Sequence, residues 1–352
     1  MQFKLGSKII SEKGQPYFIA EIGVNYENNL KRAKKIIKLA KEGGADAVKF
    51  QSYKAEKIAC KESPYYWDLK EVPVKSQYEL FKKFDKFGFA EFKILKKYCD
   101  KIKIDFLSTP FDLDAVDYLD KLVPFFKIAS ADINNYPLIE KICSKSKPIV
   151  LSTGASNINE IKKTVKFINK KNKKIKLIIL HCVLSYPTKN QDAHLEWINY
   201  LQQRFPKNII GYSDHTLPDY SMMILTSAFL NGAKVIEKHF SDVKGKKGND
   251  HFHSLNCKDL IVFRKNIEVL NQINGDKKKR ITLQCEKKSK LNARRSIVTK
   301  VSIKKGTKLN KNNLIMKRPG TGISPEKIYK IIGRRAAKDI KEDIILKKSD
   351  FK

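Results

Sequence analysis

The chain has 352 residues and a formal net charge of +35, with 41% hydrophobic and 10% aromatic residues. That length exceeds the ~250 residues of a large α/β barrel domain and leaves room for a smaller second one. It holds no apolar run near the ~20 residues that span a bilayer, and its opening residues lack the apolar stretch of an export signal. A cytoplasmic protein with no membrane segment is therefore expected.

In chain order, short β-branched runs alternate with amphipathic stretches, the pattern of βαβ units around a parallel sheet. The expected strands are Tyr17–Ile22, Ala45–Phe50, Ile104–Ser108, Phe125–Ala129, Pro148–Ser152, Leu177–Cys182, Ile209–Ser213 and Val235–His239. Helical sequence follows each; between Leu30 and Ala40, for example, Ala33, Ile36, Ile37 and Ala40 form an apolar stripe backed by lysines. Eight such units fit an α/β fold of the (β/α)8 TIM-barrel type over residues 1–272. Residues 273–290, including Gly275-Asp276-Lys277-Lys278-Lys279-Arg280, read as a charged linker. Residues 291–352 regain compact patterning with turns such as Lys305-Gly306 and Pro319-Gly320, and fit a small mixed domain.

The positive charge has one main source. Lysine supplies nearly all of it, since arginine occurs only nine times, and the lysines fall on helix faces expected to meet solvent. No groove-reading motif accompanies them, so nucleic acid is not the expected partner, although the field favours an anionic substrate. Six scattered cysteines without a C-x-x-C pair read as reduced thiols.

Polar residues collect at the C-terminal strand ends, where the active site of such a barrel lies. They are Glu21, Lys49, Gln51, Ser108, Thr109, Lys127, Ser130, Ser152, Thr153, His181, Ser213, His215, Glu237 and His239. His215 and His239 end adjacent strands, so their imidazoles suit a divalent metal, with Glu21 next around the barrel as a further ligand or through water. Lys49 and Lys127 interrupt apolar runs and need an anion or the loss of a proton. With the neighbouring hydroxyls they make a bowl suited to phosphate and carboxylate oxygens. A Schiff-base lysine is the competing chemistry.

These residues lie within Phe18-Ile19-Ala20-Glu21-Ile22-Gly23-Val24-Asn25, Ala47-Val48-Lys49-Phe50-Gln51, Leu107-Ser108-Thr109-Pro110-Phe111, Lys127-Ile128-Ala129-Ser130-Ala131-Asp132, Tyr186-Pro187-Thr188, Gly211-Tyr212-Ser213-Asp214-His215-Thr216 and Glu237-Lys238-His239-Phe240. The ordered set resembles the sialic acid synthase family, which makes N-acetylneuraminate, legionaminate or pseudaminate. The tail, with Lys317-Arg318-Pro319-Gly320 and Gly322-Ile323-Ser324, resembles that family's antifreeze-like SAF domain of β-clip fold. The resemblance implies condensation of phosphoenolpyruvate with an N-acetylated amino-sugar aldehyde, releasing phosphate. It implies His215 and His239 as ligands of a divalent metal, usually Mn2+, and a catalytic set of Glu21, Glu237, His215 and His239. Lys49, Thr109, Lys127, Ser130, Ser152 and Ser213 would bind phosphoenolpyruvate. Gln51, Tyr186 and Asp250 would face the sugar along with Glu21, and Arg318 would reach it from the SAF domain of a partner in a domain-swapped homodimer.

Three places depart from the family pattern. Leu184 stands where an asparagine is common, with Ser185 as a candidate replacement. The segment Ala55–Gln77 is unusual and is expected to shape the sugar pocket. The loop Gly245–His251 is also distinct, and His251 and His253 are read as hydrogen-bonding loop residues. A polyanion-binding barrel without chemistry and a Schiff-base aldolase are the alternative functions. Which amino sugar is accepted, which metal serves in the cell and why the charge is so high stay open at this level.

Overall fold

The first long strand, Tyr17–Gly23, is buried along its whole length, as expected where parallel neighbours flank a strand and helices cover its outer face. Seven more follow: Ala47–Ser52, Asp105–Pro110, Phe126–Ile128, Ile149–Ser152, Leu177–Cys182, Ile209–Asp214 and Val235–His239. In this computed structural model, which describes residues 3–10, 14–275 and 279–352, they pair in parallel. The order is third, second, first, eighth, seventh, sixth, fifth, fourth. The third and fourth strands lie alongside each other across the remaining seam, so the sheet is a nearly closed TIM-type barrel. All eight expected strands are present, with ends displaced by no more than two residues.

Local chemistry sets the surrounding helices. Asn29 caps Leu30–Glu42 by accepting from the Arg32 amide, and that helix buries Ala33, Ile36, Ile37 and Ala40. Asn157 and Glu160 form a reciprocal capping box on Ile158–Lys171. At the N-terminal end of the barrel a hairpin, Phe3–Leu5 with Lys8–Ile10, sets Leu5 and Ile10 into the core. Asp105 anchors it by accepting from the Ser7 amide at 2.8 Å and from the Tyr17 hydroxyl at 2.6 Å. One end of the barrel is thereby sealed, and the polar strand ends are left at the other.

The chain divides into two compact units, Met1–Gly275 and Asp276–Lys352. Within the second, Ser296–Thr299 pairs antiparallel with Leu314–Lys317 over a small core of Ile297, Ile303, Leu309, Leu314, Ile331, Ile340 and Leu346. The stretch expected to be linker carries a short helix, Lys287–Ala293; its residues 276–278 lie outside the described ones. Among the described residues no helix is long and apolar enough to cross a membrane.

Candidate active site

Side chains alternate across a strand, so only every second residue faces the barrel axis. Glu21, Lys49, Gln51, Thr109, Lys127, Ser152, Ser213, Glu237 and His239 take inward positions and line one cavity of about 420 Å³, together with Ser130, Leu184, Tyr186 and His215. The same alternation corrects three expectations. Ser108, next to Thr109, bonds the Ser52 hydroxyl at 2.7 Å, Thr153, next to Ser152, donates through its hydroxyl to the Leu180 carbonyl at 2.8 Å, and His181 bonds the Ala193 carbonyl through Nε2 at 2.8 Å. None of the three lines the cavity.

On one side of the cavity lies a basic bowl. Lys49 Nζ donates to Thr109 Oγ1 at 3.0 Å and pairs with Glu21. Lys127 Nζ donates to Ser152 Oγ at 2.7 Å and to the Ile128 carbonyl at 3.2 Å. Glu237 Oε1 stands between them, 3.7 Å from Lys49 and 3.6 Å from Lys127, and accepts from Ser213 Oγ at 3.3 Å. Ser130 Oγ accepts from the Gly154 amide at 2.9 Å. A Cβ on Gly154 would sit 2.9 Å from that oxygen, so glycine is required for the approach.

These charges sit away from water, and their proton affinities shift accordingly. Burial pushes the Glu21 carboxyl up to about 7, with Lys49 opposing and Glu237 adding to the rise. Burial works against the Lys49 ammonium, but Glu21 and Glu237 outweigh it and raise its affinity for the proton. For Lys127 burial wins and lowers it, Glu237 offsetting only part. Burial opposes the Glu237 carboxylate, yet the two lysines hold it below its ordinary value.

Across from the bowl is a cluster of metal-ligand type. Donor atoms of His239, Asp250 and His253 lie within 4.8 Å of one another. Among the described residues, His239 Nδ1 and both ring nitrogens of His253 are buried without a hydrogen-bond partner. Buried nitrogens are rarely left so unless something else takes them up. Burial, reinforced by neighbouring imidazoles, holds both rings well below the ordinary histidine range, in the neutral form a metal needs. These residues fit a divalent ion.

The pair expected from sequence, His215 and His239, is side by side with ring centroids 5.5 Å apart, and His215 is held through one ring nitrogen. Its Nδ1 meets the Val183 carbonyl at 2.8 Å and lies 3.8 Å from Cys182 Sγ. Burial disfavours its charge, and Cys182 and Val183 more than compensate, raising its proton affinity. His253, expected to be a hydrogen-bonding loop residue, instead joins the cluster. The loop after the eighth strand folds back, with the Leu255 amide donating to the His239 carbonyl at 2.8 Å. The spacing Asp250-x-x-His253 on a tight turn is the sequence signal that could have found it. His251 does bond locally, to Ser241 Oγ at 2.7 Å and Glu27 Oε1 at 3.2 Å.

Between bowl and cluster lie the residues expected at the sugar. Gln51 Nε2 donates to Glu21 Oε1 at 3.1 Å. A Cβ on Gly23, whose φ is +54°, would come 3.3 Å from Glu21 Oε1, 3.4 Å from Gln51 Nε2 and 3.5 Å from Asp250 Oδ2, so those three side chains converge. Burial pushes the Asp250 carboxyl up to about 6, eased by His215 and Lys49. The Tyr186 ring packs 4.2 Å from that of His215. Leu184 reaches the cavity, whereas the Ser185 hydroxyl is spent on the Pro187 carbonyl at 3.3 Å. Arg318 is exposed on the second unit, directly after Leu314–Lys317.

Comparison with known proteins matches residues 36–279 to the NeuB family and residues 294–352 to the SAF domain. The chain is 38% identical over 335 residues to the N,N'-diacetyllegionaminic acid synthase of Campylobacter jejuni, covering 94% of this chain and 98% of that one. It is 33% identical over 332 residues to the human N-acetylneuraminate-9-phosphate synthase, covering 93% and 90%. Among solved structures, the N-acetylneuraminic acid synthetase of Leptospira borgpetersenii, crystallised with citrate, superposes with a TM-score of 0.71 at 32% identity. That match covers 82% of this chain and 95% of the other.

Proposed function

The chain belongs to the NeuB family, and from that premise we propose that it is a phosphoenolpyruvate-dependent nonulosonic acid synthase acting on an N-acetylated amino sugar. The single observation that carries the reading is a lysine–hydroxyl bowl, Glu21, Gln51 and His239 lining one cavity, with Asp250 and His253 clustered against His239. A bowl alone would suit many anions, and a cluster alone many hydrolases. Together they suit the joining of an anionic enol to a carbonyl.

In this reading Lys49 and Lys127, with Thr109, Ser130, Ser152 and Ser213, hold the phosphate and carboxylate of phosphoenolpyruvate through charge-assisted hydrogen bonds. His239, Asp250 and His253 would hold a divalent ion, Mn2+ by family resemblance, with His215 beside them. Such an ion, when bound, supplies Lewis-acid polarisation of the sugar aldehyde. Gln51, Tyr186 and Asp250 orient the open-chain sugar so that the enol π pair of phosphoenolpyruvate bonds C3 to the aldehyde carbon, while the aldehyde C=O π bond opens to a hydroxyl that takes up the proton released from water at C2. Glu21 directs water to C2, accepts its proton, and phosphate departs by cleavage of its C–O bond. Lys49, paired with Glu21, offsets negative charge as the phosphate leaves. Arg318 of a second copy is assigned to the sugar from the resemblance, which also implies a homodimer with exchanged SAF domains.

The test is phosphate release with phosphoenolpyruvate, Mn2+ and an N-acetylated amino sugar, each omitted in turn. Release should require all three. No release across a panel of such sugars, with binding to random DNA at physiological salt, would instead favour the polyanion-binding alternative.

A further inference from the structure

The turn that carries Asp250 and His253 lies beyond the last barrel strand, so something other than the sheet must fix its distance from His239. The residue between them is placed to do so. His251 is completely buried and ends a single turn of 3-10 helix, Asn249–His251. Its ring bridges two parts of the chain: Nδ1 meets Ser241 Oγ at 2.7 Å, and Nε2 meets Glu27 Oε1 at 3.2 Å. Ser241 lies two residues after His239, and Glu27 lies in the loop after the first strand.

These hydrogen bonds run in one direction. Ser241 Oγ accepts from the Val243 amide at 3.1 Å, which leaves its own proton for His251 Nδ1, and Nε2–H then faces the Glu27 carboxylate. One tautomer of the neutral ring satisfies both partners. Glu27 is itself held by Arg32 and, at 2.7 Å, by Lys246, and Arg32 pairs with Asp242 at 2.9 Å. The clasp thus ties the turn to helix Leu30–Glu42 and to the chain just past the eighth strand. A second tie holds the other side: Ser254 Oγ donates to the Asp250 carbonyl and accepts from Asn25 Nδ2 at 3.1 Å. The approach to the turn is held separately, by Lys244 on Asp259 at 2.8 Å and by the Gly248 amide on the Glu71 carbonyl at 2.9 Å. It passes through Gly245 and Gly248, whose φ of +72° and +86° suit glycine.

We propose that His251, clasped between Ser241 and Glu27, is a positioning residue that sets Asp250 and His253 against His239 and so governs affinity for the divalent ion. The inference rests on the metal reading of that cluster given above and adds the side chains that hold its geometry. Partners that orient metal ligands from behind typically account for about 10- to 100-fold in affinity, so the effect is measurable without turnover.

The experiment titrates the full-length protein with Mn2+ by paramagnetic resonance and reads denaturant midpoints on the same preparations. His251→Ala should weaken binding by about 10- to 100-fold, and Glu27→Ala by a similar factor. Glu27→Gln keeps an acceptor for Nε2–H, and His251→Gln keeps a donor for Glu27, so both should stay within about threefold of wild type. Lys244→Met loosens the approach but not the clasp, and should leave affinity unchanged whatever it does to the midpoint. The Glu27 side chain is 34% exposed, so Glu27→Ala carries the test should His251→Ala not fold. Wild-type affinity in the alanine variants overturns the proposal. So does a loss in Lys244→Met, or in the glutamine variants, equal to that in the alanine ones. A wild-type protein that binds no Mn2+, or a His239→Ala protein that binds it as tightly as wild type, removes the metal reading itself, a separate outcome.

Discussion

Lys238 donates to Asp214 between the eighth and seventh strands, and both side chains are only 1% exposed. Asp214 also accepts from the Tyr212 hydroxyl at 2.8 Å and from the amide and hydroxyl of Thr216, each at 3.0 Å. Lys238 further reaches the Thr216 carbonyl at 2.7 Å. The network ties down the turn that carries His215 and the strand end that carries His239. Removing one partner leaves a buried charge uncompensated, so Lys238→Met should cost about 3–5 kcal/mol of stability. Asp214→Asn with Lys238→Met should cost less than the sum of the singles. Denaturant midpoints of the four proteins check this; strict additivity would show that the pair is not coupled.

The metal assignment separates two histidines that sequence treats alike. His239→Ala should abolish Mn2+ binding, and His253→Ala should weaken it at least about tenfold, because each removes a donor from the three-residue cluster. His215→Ala should leave binding within a few-fold while lowering turnover, since the three clustered donors are those of His239, Asp250 and His253. Titration of Mn2+ by paramagnetic resonance reads affinity without reference to activity. Tight binding by the His253→Ala protein would move the site back to His215 and His239.

Lys127 decides between anion binding and iminium chemistry. Burial lowers its proton affinity, which is also how a Schiff-base lysine is prepared. Its ammonium nevertheless lies 2.7 Å from Ser152 Oγ and 3.6 Å from Glu237 Oε1, the surroundings of a cation held for an anion. Lys127→Met should raise the KM for phosphoenolpyruvate by about 10- to 100-fold with little change in sugar KM. Borohydride treatment with pyruvate or sugar should leave the protein's mass unchanged. A reduced adduct on Lys127 would establish the aldolase chemistry.

Much of the barrel and of the basic bowl is legible in the sequence because a charge inside an apolar run has few places to go. Lys49 within Ala47-Val48-Lys49-Phe50 and Lys127 within Phe126-Lys127-Ile128 announce inward-facing sites, and both do line the cavity. Ser108 and Thr109 mark where that legibility stops. Both are polar and both end a strand, yet the pleat lets only one face in, and a one-residue difference in register exchanges them. His253 is hidden for another reason: its place depends on a loop folding back over the eighth strand, a long-range contact that leaves no periodic trace.

Glu21 supplies a prediction in pH. Its carboxyl is pushed up to about 7 by burial, with Lys49 opposing and Glu237 adding to the rise, and directing water at C2 requires its ionised form. As pH falls below about 7, kcat/KM should drop about tenfold per unit, and Glu21→Gln should lower the plateau and flatten that limb. Stability should move the other way. A carboxyl raised above its ordinary 4.5 binds more protons folded than unfolded between those values, so its contribution is fully present below about 4.5 and is lost as pH rises through about 7. Acidifying within that window should therefore remove activity while this group firms the fold. Thermal melts and rate profiles on the same samples separate the two effects. If activity and stability of the wild type fall together, and the Glu21→Gln profile keeps its acid limb, the group that limits turnover is not Glu21.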